Sequence, residues 1–198
     1  MKTRTQPRFC KFELRILSYA NSYYIERIKK LERLLARKPR TVKIDMIGIG
    51  EIPADLALLM RSVLLARSPK TRVITNARSS LQNGSVLVWL LGDQRLIRED
   101  ARVFFRPAEI AEENETTIYA GLNDNEPKYK DSFSGIDPEE GDCARVLQAI
   151  NEFLPVREFT GKLIGTAVLK QFGLIENERL DLFLATAFGK TEREAVFR

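Results

Sequence analysis

From residue 41 to residue 107 the chain repeats one order of elements: a short apolar strand, a glycine-rich or polar turn, and a helix. Residues 42–47 predict a buried strand that ends in a glycine turn, and Pro53 with Asp55 indicates the start of the next helix. Further strands are predicted at 72–76, 95–97 and 102–105, with a polar turn at 77–84 and a short apolar helix at 85–91. Successive strands joined by helices form parallel sheets covered by helices. The pattern therefore predicts an α/β fold with repeated β-β-α and β-α-β crossovers and a mostly parallel sheet.

The flanking regions continue this pattern. Residues 12–17 alternate as a half-buried strand does, Asn21 or Ser22 offers a helix cap, and the next helix is predicted to bury Ile25, Ile28 and Leu31. Three C-terminal helices are predicted at 143–154, 166–172 and 180–188. Between the two parts, the stretch 108–142 holds 11 acidic residues and two lysines, interrupted by glycine, proline and asparagine. We interpret that stretch as an irregular acidic excursion from the domain.

Size and composition predict one domain that spans residues 1–198. A chain of 198 residues with 44% apolar and 30% charged residues can build one substantial core. No stretch approaches the roughly 20 apolar residues of a membrane span, and the N-terminus lacks the apolar centre of a signal peptide. These features predict a cytoplasmic protein that does not contact a membrane.

The positive and negative charges are separated along the chain. Residues 1–43 carry 13 Lys and Arg against 3 Asp and Glu, whereas the remainder carries 19 against 24. The net charges are therefore +10 and −5. A basic region of this kind suits nucleic acid, an acidic region of a neighbouring subunit, or simple solvation.

The chain contains no histidine, which excludes any catalytic triad that uses one and removes the commonest transition-metal ligand. Its two cysteines, Cys10 and Cys143, cannot build a multi-thiolate zinc site or a disulfide framework. We therefore predict neither a metal nor a cofactor.

Two segments carry a resemblance to a known family. The stretch ITNARSSLQNGSVLVWLLGDQRLIREDARVFFRP, residues 74–107, resembles the proteolytic subunit of Clp protease and its crotonase relatives in the order of its elements. The stretch KQFGLIE, residues 170–176, is similar to the segment that closes the family's catalytic region. The resemblance implies a ClpP/crotonase-like fold, a homo-oligomer, and a pocket in which a turn before a helix meets a glycine turn.

The residues that carry catalysis in that family are replaced here. When Gly92 is matched to the glycine that ends the family's short helix, the nucleophile position falls on Asn83 and the histidine position on Arg106. The aspartate has no counterpart, because residues 160–172 contain no acid. The resemblance places Gly50, Glu51 and Gly84 at the oxyanion-like pocket, with Glu51 where the family has a second glycine. These departures predict that peptidase activity is lost.

Two other functions remain open. A serine can be activated by lysine, and the candidate nucleophiles are Ser79, Ser80 and Ser85, with Lys162 or Lys170 as the base. Alternatively, the basic N-terminal region could bind nucleic acid, with Tyr19, Tyr23 and Tyr24 available for stacking. Our leading interpretation is a catalytically degenerate Clp-protease-like protein that acts through oligomeric assembly or by binding a ligand, a peptide or a protein partner.

Overall fold

A four-stranded sheet forms the framework of the computed structural model, which describes residues 8–17, 20–48, 50–105 and 141–175. In chain order the elements are β1 (Phe9–Arg15), α1 (Asn21–Leu35), β2 (Thr41–Ile47), α2 (Ala54–Leu65), β3 (Arg72–Ala77), β4 (Leu81–Gln82), α3 (Gly84–Leu90), β5 (Gln94–Ile97), β6 (Val103–Phe104), α4 (Asp142–Asn151), α5 (Val156–Phe159), β7 (Leu163–Ile164) and α6 (Thr166–Gln171).

The strand pairing confirms the prediction of a largely parallel sheet. The first sheet has the order β1-β2-β3-β5, and each of its three pairs is parallel. A second sheet has the order β4-β6-β7, in which β4 and β6 are parallel and β6 and β7 are antiparallel. The two sheets are contiguous in the chain at residues 77–81, so the turn that joins them lies at the carboxyl end of β3.

One face of the first sheet is buried beneath helices. On β2 the side chains of Val42, Ile44 and Met46 are buried, while those between them are half-buried on the opposite face. Helix α2 contacts both α1 and α3, and every residue of α3 is buried. This position explains the apolar run at residues 86–90 of α3, because a helix buried on all sides has no polar face.

Helix α1 differs in detail from the sequence prediction. Its N-cap is Ala20, with no side-chain cap hydrogen bond, rather than Asn21 or Ser22. Tyr24 is buried in place of Ile25, which is 42% exposed. The hydroxyl of Tyr24 accepts a hydrogen bond from the N–H of Leu17 at 2.8 Å and donates to its carbonyl at 3.1 Å. A tyrosine can be buried here because its polar end is satisfied, and burial raises the pKa of Tyr24.

The short elements were not predicted. The polar turn 77–84 contains β4, and the helix predicted at 143–154 ends at Asn151 and is followed by α5 and β7. Two-residue strands are too short to show a period of their own. The helix predicted at 180–188 and residues 108–140 of the acidic excursion lie outside the described residues, and Asp142 begins α4. No helix among the described residues is long and apolar enough to cross a membrane.

Candidate functional site

The turn between β4 and α3 holds the most unusual backbone conformation of the candidate site. Asn83 has φ 36° and ψ −106°, and its side chain is 5% exposed. Its N–H donates to the carbonyl of Phe104 at 3.3 Å, and its carbonyl accepts from Val86 and Leu87 in the first turn of α3. A conformation of this kind costs on the order of 1–3 kcal/mol outside glycine and is concentrated at functional sites. Strained strand-to-helix turns are also used to present nucleophiles in hydrolases.

Gly84 allows α3 to begin at this position. A Cβ at Gly84 would lie 2.2 Å from the carbonyl oxygen of Ile52 and 3.0 Å from the Cβ of Ala57. The start of α3 therefore packs directly on the backbone that follows the glycine turn. As the first residue of the helix, Gly84 has an N–H with no acceptor inside α3.

The glycine turn lies beside Asn83 and Gly84. Gly50 has φ 138°, a value that favours glycine, and Glu51 forms an isolated parallel bridge with Gln82. The structure thus brings together the four pocket residues that the family resemblance singled out: Gly50, Glu51, Asn83 and Gly84. Glu51 is half-buried at this junction, where its backbone pairs with Gln82.

The hydroxyls of all three candidate serines form hydrogen bonds with backbone groups. The Oγ of Ser79 accepts from the N–H of Gly48 at 3.1 Å and donates to the carbonyl of the same residue. The Oγ of Ser80 accepts from the N–H of Arg102 at 3.0 Å. Ser85, which is fully buried, accepts from the N–H of Ile52 at 3.1 Å and donates to the carbonyl of Gly50 at 3.4 Å. These hydroxyls join the turn to its neighbours.

The candidate bases lie on other elements. The Nζ of Lys162 is exposed and donates to the carbonyl of Glu158 at 2.9 Å, while Lys170 lies in the last turn of α6. Within the described ranges, no hydrogen bond joins either lysine to Ser79, Ser80 or Ser85. Arg106, at the family's histidine position, lies outside the described residues, directly after Phe105.

Contacts at the other end of α3 support the alignment that places Asn83. The hydroxyl of Thr75 donates to the carbonyl of Trp89 at 2.6 Å, and a Cβ at Gly92 would lie 2.3 Å from that hydroxyl. Position 92, which follows the C-cap of α3, therefore requires glycine. It is the position that was matched to the glycine ending the family's short helix. The sequence signal for this arrangement was a short apolar run with a glycine at each end. The role of Thr75 could not be predicted from the sequence, because it depends on the contact between β3 and the end of α3.

No metal site is evident in the part of the chain that the structure describes. It contains no group of three or more His, Cys, Asp or Glu side chains that could hold an ion. Cys10 and Cys143 are not joined in a disulfide, and both are half-buried.

The two sheets and the β4–α3 turn define a protein with the ClpP/crotonase-like fold. Similar solved structures include the ClpP protease catalytic domain from Plasmodium falciparum, with 10% sequence identity, a TM-score of 0.53, and coverage of 85% of this chain and 83% of that chain. A ClpP1 variant from Listeria monocytogenes has 13% identity and a TM-score of 0.53, with 85% and 88% covered. An enoyl-CoA hydratase from Shewanella pealeana has 11% identity and a TM-score of 0.55, with 91% and 69% covered.

These comparisons concern the fold. No protein-family model matches the sequence, and no curated protein matches it. The resemblance to ClpP and crotonase proteins is therefore confirmed at the level of architecture. The roles of individual residues depend on the site geometry.

Proposed function

We propose that this protein is a catalytically degenerate ClpP/crotonase-like protein that acts by binding a peptide or another carbonyl-containing ligand, and by self-assembly, rather than by hydrolysis. The observation that carries the proposal is the conformation of Asn83. The strained turn before α3 is present, but its residue is a carboxamide, which can hydrogen-bond to a ligand and is not a nucleophile of acyl transfer.

The hydrogen bonds of the serines support the loss of hydrolysis. A nucleophilic serine needs a base within hydrogen-bonding distance, and the chain has no histidine. The described contacts of Ser79, Ser80 and Ser85 are to backbone groups. Moving any of these hydroxyls to a substrate would leave backbone donors without their partners, at a cost of about 1–3 kcal/mol for each buried group.

The carboxylate of Glu51 also favours binding over hydrolysis. Hydrolysis places a full negative charge on the carbonyl oxygen, which a carboxylate near the oxyanion position would oppose. A bound but unreacted carbonyl carries only a partial charge, so the same carboxylate opposes it much less. The pocket is therefore better suited to a neutral carbonyl than to the transition state of its cleavage.

The first prediction concerns covalent labelling. An active-site-directed fluorophosphonate should not label the purified protein, because no described serine is paired with a base. Intact-protein mass spectrometry measures the adduct, and an active serine hydrolase treated in parallel is the positive control. An adduct mapped to Ser79, Ser80 or Ser85 would revive the Ser-Lys hydrolase.

A matched variant extends this experiment. Asn83→Ser places a hydroxyl on the strained turn without adding a base, so we expect it to remain unlabelled on the timescale of the positive control. Rapid labelling of this variant, with none of the parent protein, would mean that another group at the site still accepts a proton. That result would contradict the proposed loss of the proton relay. It would agree with the assignment of Asn83 to the nucleophile position.

The second prediction concerns assembly. The resemblance implies subunit association, and the charges of +10 over residues 1–43 and −5 over the remainder suit contacts between unlike surfaces of neighbouring copies. At micromolar concentration and moderate salt, sedimentation velocity should therefore show an oligomer that dissociates as the salt concentration rises. Sedimentation as a monomer under the same conditions would contradict the assembly part of the proposal.

A further inference from the structure

The fold gathers positive charge at one edge of the first sheet. The strands are parallel, so their amino ends lie at the same edge, where the connections 36–40 and 66–71 also arrive. The N–H of Thr41 donates to the carbonyl of Arg8 at 3.2 Å, and the N–H of Arg72 donates to the carbonyl of Arg40 at 2.8 Å. Among the described residues, six exposed cations belong to this edge, and we call them the amino-end surface: Arg8, Arg37, Lys38, Arg40, Lys70 and Arg72.

Near this edge, the described residues offer few carboxylates that could neutralise the amino-end surface. The sequence has no acidic residue from 33 to 44 or from 56 to 92, the stretches that supply five of the six cations. Among the described residues, the six form no ion pair with a carboxylate. Asp93, directly before β5, already has hydrogen-bonding partners. Its carboxylate accepts from the guanidinium of Arg67 at 2.5 Å and from the N–H of Val73 at 2.7 Å.

Helix dipoles explain little of the accumulated charge. The carboxyl ends of α1 and α2 lead into the connections at this edge, and cations near a helix carboxyl end are stabilising. Each helix end carries about half a negative charge, so the two ends together supply about one. Six positive charges exceed that by about five. Among the described residues, the charges at this edge therefore repel one another without compensation, and an anionic partner would relieve that repulsion.

We infer that the amino-end surface binds the phosphate backbone of nucleic acid. Arg8 and Arg40 directly precede β1 and β2, and Arg72 is the first residue of β3. These adjacent strands lie about 4.8 Å apart in a sheet, so the charges are spread over three strand ends rather than held at a single point. Four of the six cations are arginines, whose planar guanidinium pairs with phosphate through two hydrogen bonds. Such contacts are independent of base sequence.

The small number of exposed apolar side chains at this edge favours nucleic acid over a protein partner. A protein interface has an apolar centre within a polar rim. The described residues have six exposed large apolar side chains, of which Leu65 alone lies in the helix ends and connections of this edge. A surface so rich in charge and poor in exposed apolar groups suits a partner recognised through its phosphates.

The structure favours the sheet edge over helix α1 as the nucleic-acid-binding surface. Lys29, Lys30 and Arg33 are exposed on α1, but Glu26 and Glu32 are exposed on the same helix. Tyr24 is buried with its hydroxyl bonded to Leu17 and cannot stack on bases. On α1 the exposed cations are therefore interspersed with exposed acids, whereas the segments 36–40 and 66–72 at the sheet edge contain no acid.

The test measures binding of a fluorescein-labelled 25-base-pair DNA duplex by fluorescence anisotropy between about 50 and 200 mM salt. We expect log K to fall with log salt with a slope of roughly −3 to −5, because each neutralised phosphate contributes about −0.9. The triple variant Arg37→Glu, Arg40→Glu, Lys70→Glu should weaken binding at least about tenfold and flatten the slope by about 3.

The matched control is the triple variant Lys29→Glu, Lys30→Glu, Arg33→Glu, which changes the net charge by the same amount and should alter binding less than about threefold. Fluorescence of Trp89, the only tryptophan of the chain and fully buried, reports whether each variant is folded. A version of the first triple with glutamine at all three positions serves if the glutamate version is unfolded. Equal losses in the two sets of variants would overturn the assignment to the sheet edge.

Two further outcomes would overturn the inference. One is tighter binding to polyglutamate or to phosphatidylserine vesicles than to DNA, which would assign the surface to an acidic protein or a membrane. The other is loss of self-association, without any change in DNA affinity, in the Arg37, Arg40 and Lys70 variant. That result would mean that a second copy of the chain covers this edge. Neither the sedimentation result nor the fluorophosphonate result affects this inference, so the two proposals can fail separately.

Discussion

Replacing Gly84 with alanine should destabilise the protein by about 3 kcal/mol, at the upper end of the usual cost of overpacking. The added Cβ would lie 2.2 Å from the carbonyl oxygen of Ile52 and 3.2 Å from its carbonyl carbon. Both are backbone atoms, so the overlap cannot be relieved by a side-chain rotation. Helix α3 would have to move away from the glycine turn, and the pocket around Asn83 would open with it.

Urea unfolding followed by Trp89 fluorescence measures this loss. The control is Gly165→Ser, at the N-cap of α6, where a Cβ would have no neighbour closer than 3.6 Å and serine is a favourable cap. The control should be as stable as the parent protein or slightly more stable. A Gly84→Ala variant within about 0.5 kcal/mol of the parent would mean that α3 does not begin against Ile52.

Replacing Arg95 with methionine should destabilise the protein by about 2–3 kcal/mol, because hydrogen bonds to a charged group are lost and buried acceptors remain. The Nε of Arg95 donates to the carbonyl of Leu90 at the end of α3, and Nη1 donates to the carbonyl of Leu174 at 3.4 Å. Its guanidinium also lies 5.6 Å from the centre of the Phe153 ring. Burial lowers the pKa of Arg95, and Asp93 opposes this effect, yet an arginine remains charged at neutral pH.

This single side chain joins three parts of the chain: the end of α3, the residues after α4 and the closing segment after α6. The matched control is Arg98→Met, three residues along, where the guanidinium pairs with Asp100 in full exposure to solvent. Exposed pairs contribute little, so we expect no measurable change in the urea midpoint for the control. Equal effects of the two substitutions would contradict a bridging role for Arg95.

The candidate site shows how far sequence reasoning can reach. The position of Asn83 followed from the family resemblance, in which Gly92 is matched to the glycine that ends the family's short helix, and the same resemblance placed Gly84 at the pocket. That Asn83 takes the family's nucleophile position stays a prediction, which its positive φ supports. The positive φ itself could not be predicted, since asparagine adopts ordinary conformations elsewhere and only its packed neighbours hold this one.

The serines illustrate the opposite case. Ser79, Ser80 and Ser85 were equivalent in the sequence, because a hydroxyl in a turn can act as a nucleophile or as a hydrogen-bonding partner of the backbone. Their partners are Gly48, Arg102 and Ile52, each at least 22 residues away. Contacts over such separations depend on how the two sheets meet, so no local pattern could reveal them.

The sequence by itself determined the α/β class, the order of the strands and helices through residue 105 apart from β4, the separation of charge, and the impossibility of a histidine-based triad. These properties follow from periodicity and residue type, which act over a few neighbouring residues. Only the tertiary structure decided which cations lie at the same sheet edge, which serine hydroxyls are hydrogen-bonded to the backbone, and that Asn83 adopts a strained conformation. Those properties arise because parallel strands bring their amino ends together and bury one face against helices, uniting residues that are distant in the chain.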